Sequence, residues 1–135
     1  MIFRQKDEVR SGRKTMTQRI DDGGYTVERD DRGEIVRVYK NGRLKWAVGR
    51  AYAATPKRGH VRFGNYRITR IRHRPLGEMT EEEAIKEGVN SLAEYRELWR
   101  SVSHFAFDEA RAVFAIEFEY LGDVATKEAD HAAVG

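Results

Sequence analysis

The 135-residue sequence predicts a single small α+β domain. About six short strands curl into a barrel, with a short N-terminal helix and a helix pair packed against it. Three observations predict this. Hairpin turn sequences recur between residues 25 and 49. The hydrophobic period changes to helical spacing after Thr80. A last segment, AVFAIEFEYL at 112–121, is strongly apolar on one face. Strands this short, joined by tight turns, remove their open edges by curling.

Residues 3–10 suit a first helix, stopped by Gly12 in the left-handed conformation. A polar strand follows, with Thr15, Thr17 and Arg19 on one face. Strands at 25–29 and 34–39 flank the turn sequence Asp30-Asp31-Arg32-Gly33. Asn41-Gly42 is the strongest hairpin feature of the chain, and a strand at 43–48 follows it. Pro56 to Gly59 reads as a loop. The segment 67–72 reads as an alternating strand, with Ile68 and Ile71 on the core face and Arg and Thr on the other. Thr80 and Glu83 form a capping box for a helix over 81–87, which Gly88 interrupts. Ser91 and Glu94 cap a second helix over 92–101, on which Leu92, Tyr95, Leu98 and Trp99 recur at helical spacing. Trp46 and Trp99 are expected in the core. The domain is expected to span 1–121, with 122–135 a flexible tail.

The chain has no cysteine, which excludes disulfides, a thiolate nucleophile and Cys-ligated metals. No pair of its histidines (His60, His73, His104, His131) has metal-ligand spacing. No metal or cofactor is therefore expected. No apolar run approaches a membrane span, and the charged start MIFRQKDEVR cannot act as a signal peptide. The expectation is a soluble cytoplasmic protein with no membrane partner and no obligatory protein partner.

The net charge of +3 hides an asymmetry. Residues 1–74 carry 20 Lys+Arg and 8 Asp+Glu, or +12; residues 75–135 carry 5 and 14, or −9. Arginine leads lysine by 15 to 5 in the basic half, where Tyr39, Trp46, Tyr52, Phe63 and Tyr66 are interleaved. That composition suits a nucleic-acid surface, with Arg58, Arg62, Arg70 and Arg72 as candidate contacts. It equally suits basic strands folded against an acidic helix of the same chain.

The stretch SGRKTMTQR at 11–19 holds the densest polar chemistry. It lacks the G-x-x-x-x-G-K-[ST] spacing of a P-loop. Lys14 and Thr17 are three apart, so on a regular strand they face opposite sides. A bend at Gly12 would be needed to bring them together. A lysine beside a threonine hydroxyl is a base–nucleophile pair when burial or a neighbouring cation lowers the lysine pKa. Arg13 and Arg19 are cations of that kind. A solvated basic strand is the other reading. Glu87 sits at a helix C-terminus, the unfavourable end of the macrodipole for a carboxylate. Capture of a lysine or a polar substrate would account for it, as would plain exposure.

The pattern Gly12-x-Lys14-x-x-Thr17-x-Arg19 resembles the GxKxxTxR signature of the activating-signal-cointegrator homology (ASCH) family, in the PUA-like superfamily. The segments 67–72, 75–95 and 113–118 resemble, in order, that family's central strand, acidic helix and last barrel strand. The resemblance implies a PUA-like barrel with a cleft lined by the signature residues. It implies RNA binding, ribonuclease action, or hydrolysis of N4-acylcytidine by a small amidohydrolase. In the last case it implies roles for Lys14, Thr17 and Glu87 in catalysis, with Arg13 and Arg19 binding a modified nucleoside or RNA. No paired-histidine site supports the ribonuclease.

Overall fold

The computed structural model describes residues 6–56, 59–102 and 107–123. The described chain folds as α1 (Lys6–Arg10), β1 (Met16–Ile20), β2 (Tyr25–Arg29), β3 (Ile35–Lys40), β4 (Arg43–Ala47), β5 (Ala51–Ala54), β6 (Gly64–Pro75), α2 (Glu81–Lys86), α3 (Leu92–Val102) and β7 (Ala112–Asp123). A short 3-10 turn, Leu76–Glu78, joins β6 to α2.

The local sequence features act as expected. Gly12 turns the chain after α1 at φ 80°. Asn41 and Gly42, both at positive φ, close the β3–β4 hairpin with Lys40 opposite Arg43. The Asp30 carboxylate accepts from the backbone N–H groups of Arg32 and Glu34, which fixes the β2–β3 turn. Thr80 caps α2 by accepting from Glu83 N–H, and Glu83 accepts in return from Thr80 N–H.

The strands pair in two antiparallel sheets, ordered β1-β7-β6-β5 and β2-β3-β4. The expected single barrel is not what the pairing gives, because no strand ladder joins the two sheets among the described residues. Instead they pack face to face. Val38 and Trp46 from one meet Ile68, Ile71, Phe114, Ile116 and Phe118 from the other. A second core lies between the outer face of β7 and the helices, around Leu76, Met79, Ala84, Tyr95, Trp99 and Val113. Both tryptophans are buried.

There are seven strands where about six are expected. The additional one, β5, is AYAA and carries no β-branched residue. β6 runs twelve residues, past both ends of the expected 67–72. Its isoleucines are three apart, so a regular strand would turn them to opposite faces. A register shift between Ile68 and Arg70 lets both face the core. β7 continues to Asp123, so the first two residues of the expected tail are strand, and the remainder lies outside the described residues. Residues 3–5 of the expected first helix lie outside them too.

Candidate functional site

The site forms where the turn after α1 meets the end of α2. Lys14 N–H donates to the Glu8 carbonyl at 2.8 Å, and Thr15 N–H donates to the Lys86 carbonyl at 2.7 Å. These bonds hold Lys14 beside Glu87 in a one-residue antiparallel bridge. Gly88 permits that approach. It has φ +93°, and an added Cβ would lie 3.3 Å from both Glu8 Cβ and Lys14 Cβ.

Lys14 and Glu87 form a buried ion pair, 5% and 2% exposed. Lys14 Nζ donates to Glu87 Oε2 and to the Glu87 carbonyl, the latter at 3.2 Å. The other carboxylate oxygen, Oε1, is buried with no hydrogen-bond partner. Glu87 is the C-cap of α2, so the helix dipole does not hold it there. Its partner is the lysine 73 residues earlier in the chain.

Thr17 is buried on β1 opposite Ile116, and its hydroxyl oxygen accepts from Arg19 Nη1 at 2.8 Å. No hydrogen bond joins it to Lys14. The bend at Gly12 brings Lys14 to Glu87 instead. Arg19 is half-buried. Burial lowers its guanidinium pKa below the ordinary arginine value, against the opposing charge of Glu87. The charge of Glu87 thus acts on Arg19, the donor to the Thr17 hydroxyl. Arg13 is exposed on the rim, donating to Asn90 Oδ1 at 2.6 Å.

Three further residues belong here. Tyr95 on α3 is buried, and burial followed by the Glu87 charge pushes its hydroxyl pKa well up. Burial likewise raises Tyr66 on β6, which feels the Arg19 charge. Gln18 lies within the signature and is buried. Tyr95 sits at apolar helical spacing and so reads as core. Gln18 was detectable as the lone polar residue on the strand face shared by Met16 and Ile20.

The candidate nucleic-acid contacts are dispersed. Arg72 pairs with Glu83, and Arg70 lies 3.9 Å from Glu34 and 4.0 Å from Glu117. Arg62 is exposed, and Arg58 lies outside the described residues. Several basic side chains of the N-terminal half thus meet carboxylates of the C-terminal half, Arg67–Glu119 and Arg74–Glu83 among them. The charge asymmetry is in part internal balance. Two surface depressions, of about 560 Å³ beside Lys40 and Lys45 and about 370 Å³ beside Arg29 and His73, are lined by none of Lys14, Thr17 and Glu87. Among the described residues no cluster of three or more His, Cys, Asp or Glu could hold a metal ion. No described helix is long and apolar enough to cross a membrane.

Two antiparallel sheets with a helix pair on the outer face of β7, and a signature strand at one edge, define an α+β fold of the ASCH type. Two solved structures share it. One is an ASCH domain from Lactobacillus crispatus, at TM-score 0.58 and 19% identity, over 84% of this chain and 68% of that one. The other is protein EF3133 from Enterococcus faecalis, of the family model DUF984, at TM-score 0.55 and 18% identity, over 89% and 71%. No protein-family model and no curated protein matches the sequence. The likeness is one of fold.

Proposed function

We propose that this protein is a metal-independent amidohydrolase that cleaves the N4-acyl amide of an acylated cytosine nucleoside or base. The observation that carries the reading is the buried Lys14–Glu87 ion pair, with the charge of Glu87 acting on Arg19, the donor to the Thr17 hydroxyl. A buried ion pair is a poor stabiliser, because desolvation offsets its attraction. A buried charge pair of little value to stability suits a chemical role. The resemblance of Gly12-x-Lys14-x-x-Thr17-x-Arg19 to the ASCH signature names the substrate class.

In this reading Thr17 Oγ attacks the amide carbonyl. Arg19 already donates to that oxygen, which leaves the hydroxyl proton free to depart. Transfer of one proton within the Lys14–Glu87 pair gives an amine and a neutral acid. The amine takes the Thr17 proton, and bound substrate closes the distance between them, as catalytic contacts often tighten only in the complex. The tetrahedral oxyanion is met by Arg19 or Arg13. Collapse breaks the C–N bond, and the resulting ammonium of Lys14 returns a proton to the departing N4 amine. Water then hydrolyses the Thr17 ester, its proton passing to the same pair, and releases the carboxylic acid.

The test is chromatography of N4-acetylcytidine incubated with purified protein. Cytidine and acetate are expected. Thr17→Val keeps the shape of the side chain and removes the nucleophile, so turnover should fall at least 10³-fold, roughly the scale of losing a covalent step. Turnover that survives Thr17→Val would remove Thr17 from the mechanism. Binding of RNA without catalysis is the weaker reading, since Arg70 and Arg72 already face carboxylates.

A further inference from the structure

The tip of the β3–β4 hairpin gathers three cations on one face of its sheet. Tyr25, Lys40 and Arg43 stand in one cross-strand row, Tyr25 opposite Lys40 and Lys40 opposite Arg43. Cross-strand partners share a face, so both cations lie on the side of Tyr25. A register shift between Val38 and Tyr39 leaves Lys45 as the extra residue of β4, between Leu44 and Trp46. The bulge lets Lys45 and Trp46 face that side together. Lys45 Nζ lies 5.0 Å from the centre of the Trp46 ring and 5.5 Å from that of Tyr25. Lys40 Nζ lies 4.2 Å from the centre of the Tyr25 ring.

Like charges directly opposite in a sheet repel, and Lys40 stands opposite Arg43. Among the described residues, one carboxylate pairs with the three cations: Asp22 accepts from Lys40 at 2.7 Å. Lys40 donates also to the Gly23 carbonyl, and Lys45 to the Tyr25 hydroxyl at 3.3 Å. These bonds hold both ammoniums in place. Arg43 is exposed, with no ion pair among the described residues. The surface depression of about 560 Å³ opens here, lined by Lys40, Asn41, Arg43, Leu44 and Lys45. Its lining carries three positive charges and no carboxylate, and Asp22 offsets one of them.

We propose that this depression is an anion site that takes a compact oligophosphate, a chain of two or three linked phosphate groups. Cations crowded against their own repulsion suit a ligand whose negative charge is concentrated in a short chain. The lysines meet phosphate as point charges, and the Arg43 guanidinium can donate to two oxygens at once. The site ends with the hairpin. On the same face the next row is Val27, Val38 and Trp46, without charge. On the other face Arg37 is paired with Glu28 at 2.6 Å. Among the described residues of this sheet, no run of unpaired cations continues for a longer polyanion to follow. The inference is independent of the hydrolase reading, since none of Lys14, Thr17 and Glu87 lines the depression.

The test is calorimetric titration of the full chain with sodium tripolyphosphate at low, fixed ionic strength. Wild type should bind. Arg43→Gln and Lys45→Gln should each bind about 10-fold more weakly or worse, the scale of one hydrogen bond to a charged group. Arg70→Gln, on the other sheet, should bind as wild type does. Both hairpin side chains are exposed, so the variants should fold, and Arg43→Gln should melt at or above the wild-type temperature because it relieves the repulsion. Adenosine triphosphate in the same assay separates the sources of the phosphate chain. Tighter binding than tripolyphosphate assigns the site to a nucleotide, and equal or weaker binding to a free oligophosphate. The proposal is overturned by a wild type that does not bind tripolyphosphate, or by hairpin variants that bind it as wild type does. It is overturned equally by an oligouridylate without a terminal phosphate that binds more tightly than tripolyphosphate and depends on the same residues, which would make the hairpin a nucleic-acid contact. If Arg43 and Lys45 only guard the open edge of β4, their variants should self-associate in light scattering and keep full affinity for tripolyphosphate.

Discussion

Glu83 and Glu87 stand one turn apart at opposite ends of α2, both buried, and they differ in every partner. Glu83 lies in the first turn, where the helix dipole favours a carboxylate. It closes the Thr80 capping box and meets Arg72 and Arg74. Burial alone would raise its pKa, but the hydrogen bonds from Arg74 and Arg72 outweigh it and pull the group down to about 2. Glu87 lies at the wrong end of the dipole, holds one lysine, and keeps an oxygen without a partner. The first carboxylate has its bonding capacity filled and works for the fold. The second has capacity left for a ligand.

Removing partners from the two ends should expose that difference. Lys14→Met leaves the Glu87 carboxylate buried and alone, and should cost about 3–5 kcal/mol in denaturant unfolding. A cost below about 1 kcal/mol would mean the pair is open to water and not buried as described. Glu83→Gln should cost less, about 1.5–3 kcal/mol, the scale of hydrogen bonds to a charged group. Its signature is pH dependence. A depressed carboxylate contributes stability above its unfolded pKa, near 4.5, and loses it as pH falls toward about 2. Wild type should therefore lose stability across that window, and Glu83→Gln should flatten the loss. An unchanged acid limb would break the comparison.

Gly88→Ala probes the turn that directly follows Glu87. Left-handed backbone costs a residue with Cβ about 1–2 kcal/mol, and here the Cβ also crowds Lys14. The melting temperature should fall, and turnover should fall further than the Glu83 variant's, because Lys14 moves. Arg70→Ala is the smallest change. Its ion pairs are long and half-exposed, so stability should shift by less than about 0.5 kcal/mol.

What was legible in the sequence was local. The Asn41-Gly42 hairpin, the Thr80–Glu83 box and the turns at Gly12 and Gly88 depend on neighbours a few residues away. Sheet closure, the bulge near Ile68 and the strand Ala51–Ala54 depend on pairings far along the chain, and local pattern is silent there. The meeting of Lys14 with Glu87 spans 73 residues. Spacing alone left both open to plain exposure, and only the resemblance of the signature linked them. Tyr95 was hidden because it matched an apolar helical stripe, whereas Gln18 stood out as a lone polar residue on its strand face but lay at an unassigned position of the signature.

The most direct test pairs stability with turnover in one protein, Lys14→Met/Glu87→Leu. Replacing a buried ion pair by apolar groups of similar volume is often neutral for folding. The double variant should therefore unfold within about 1 kcal/mol of wild type and bind ligand poorly. It should release no cytidine from N4-acetylcytidine under conditions where wild type does. A double variant that still turns over, or a folded wild type that never does, would contradict the assignment of this site to amide hydrolysis.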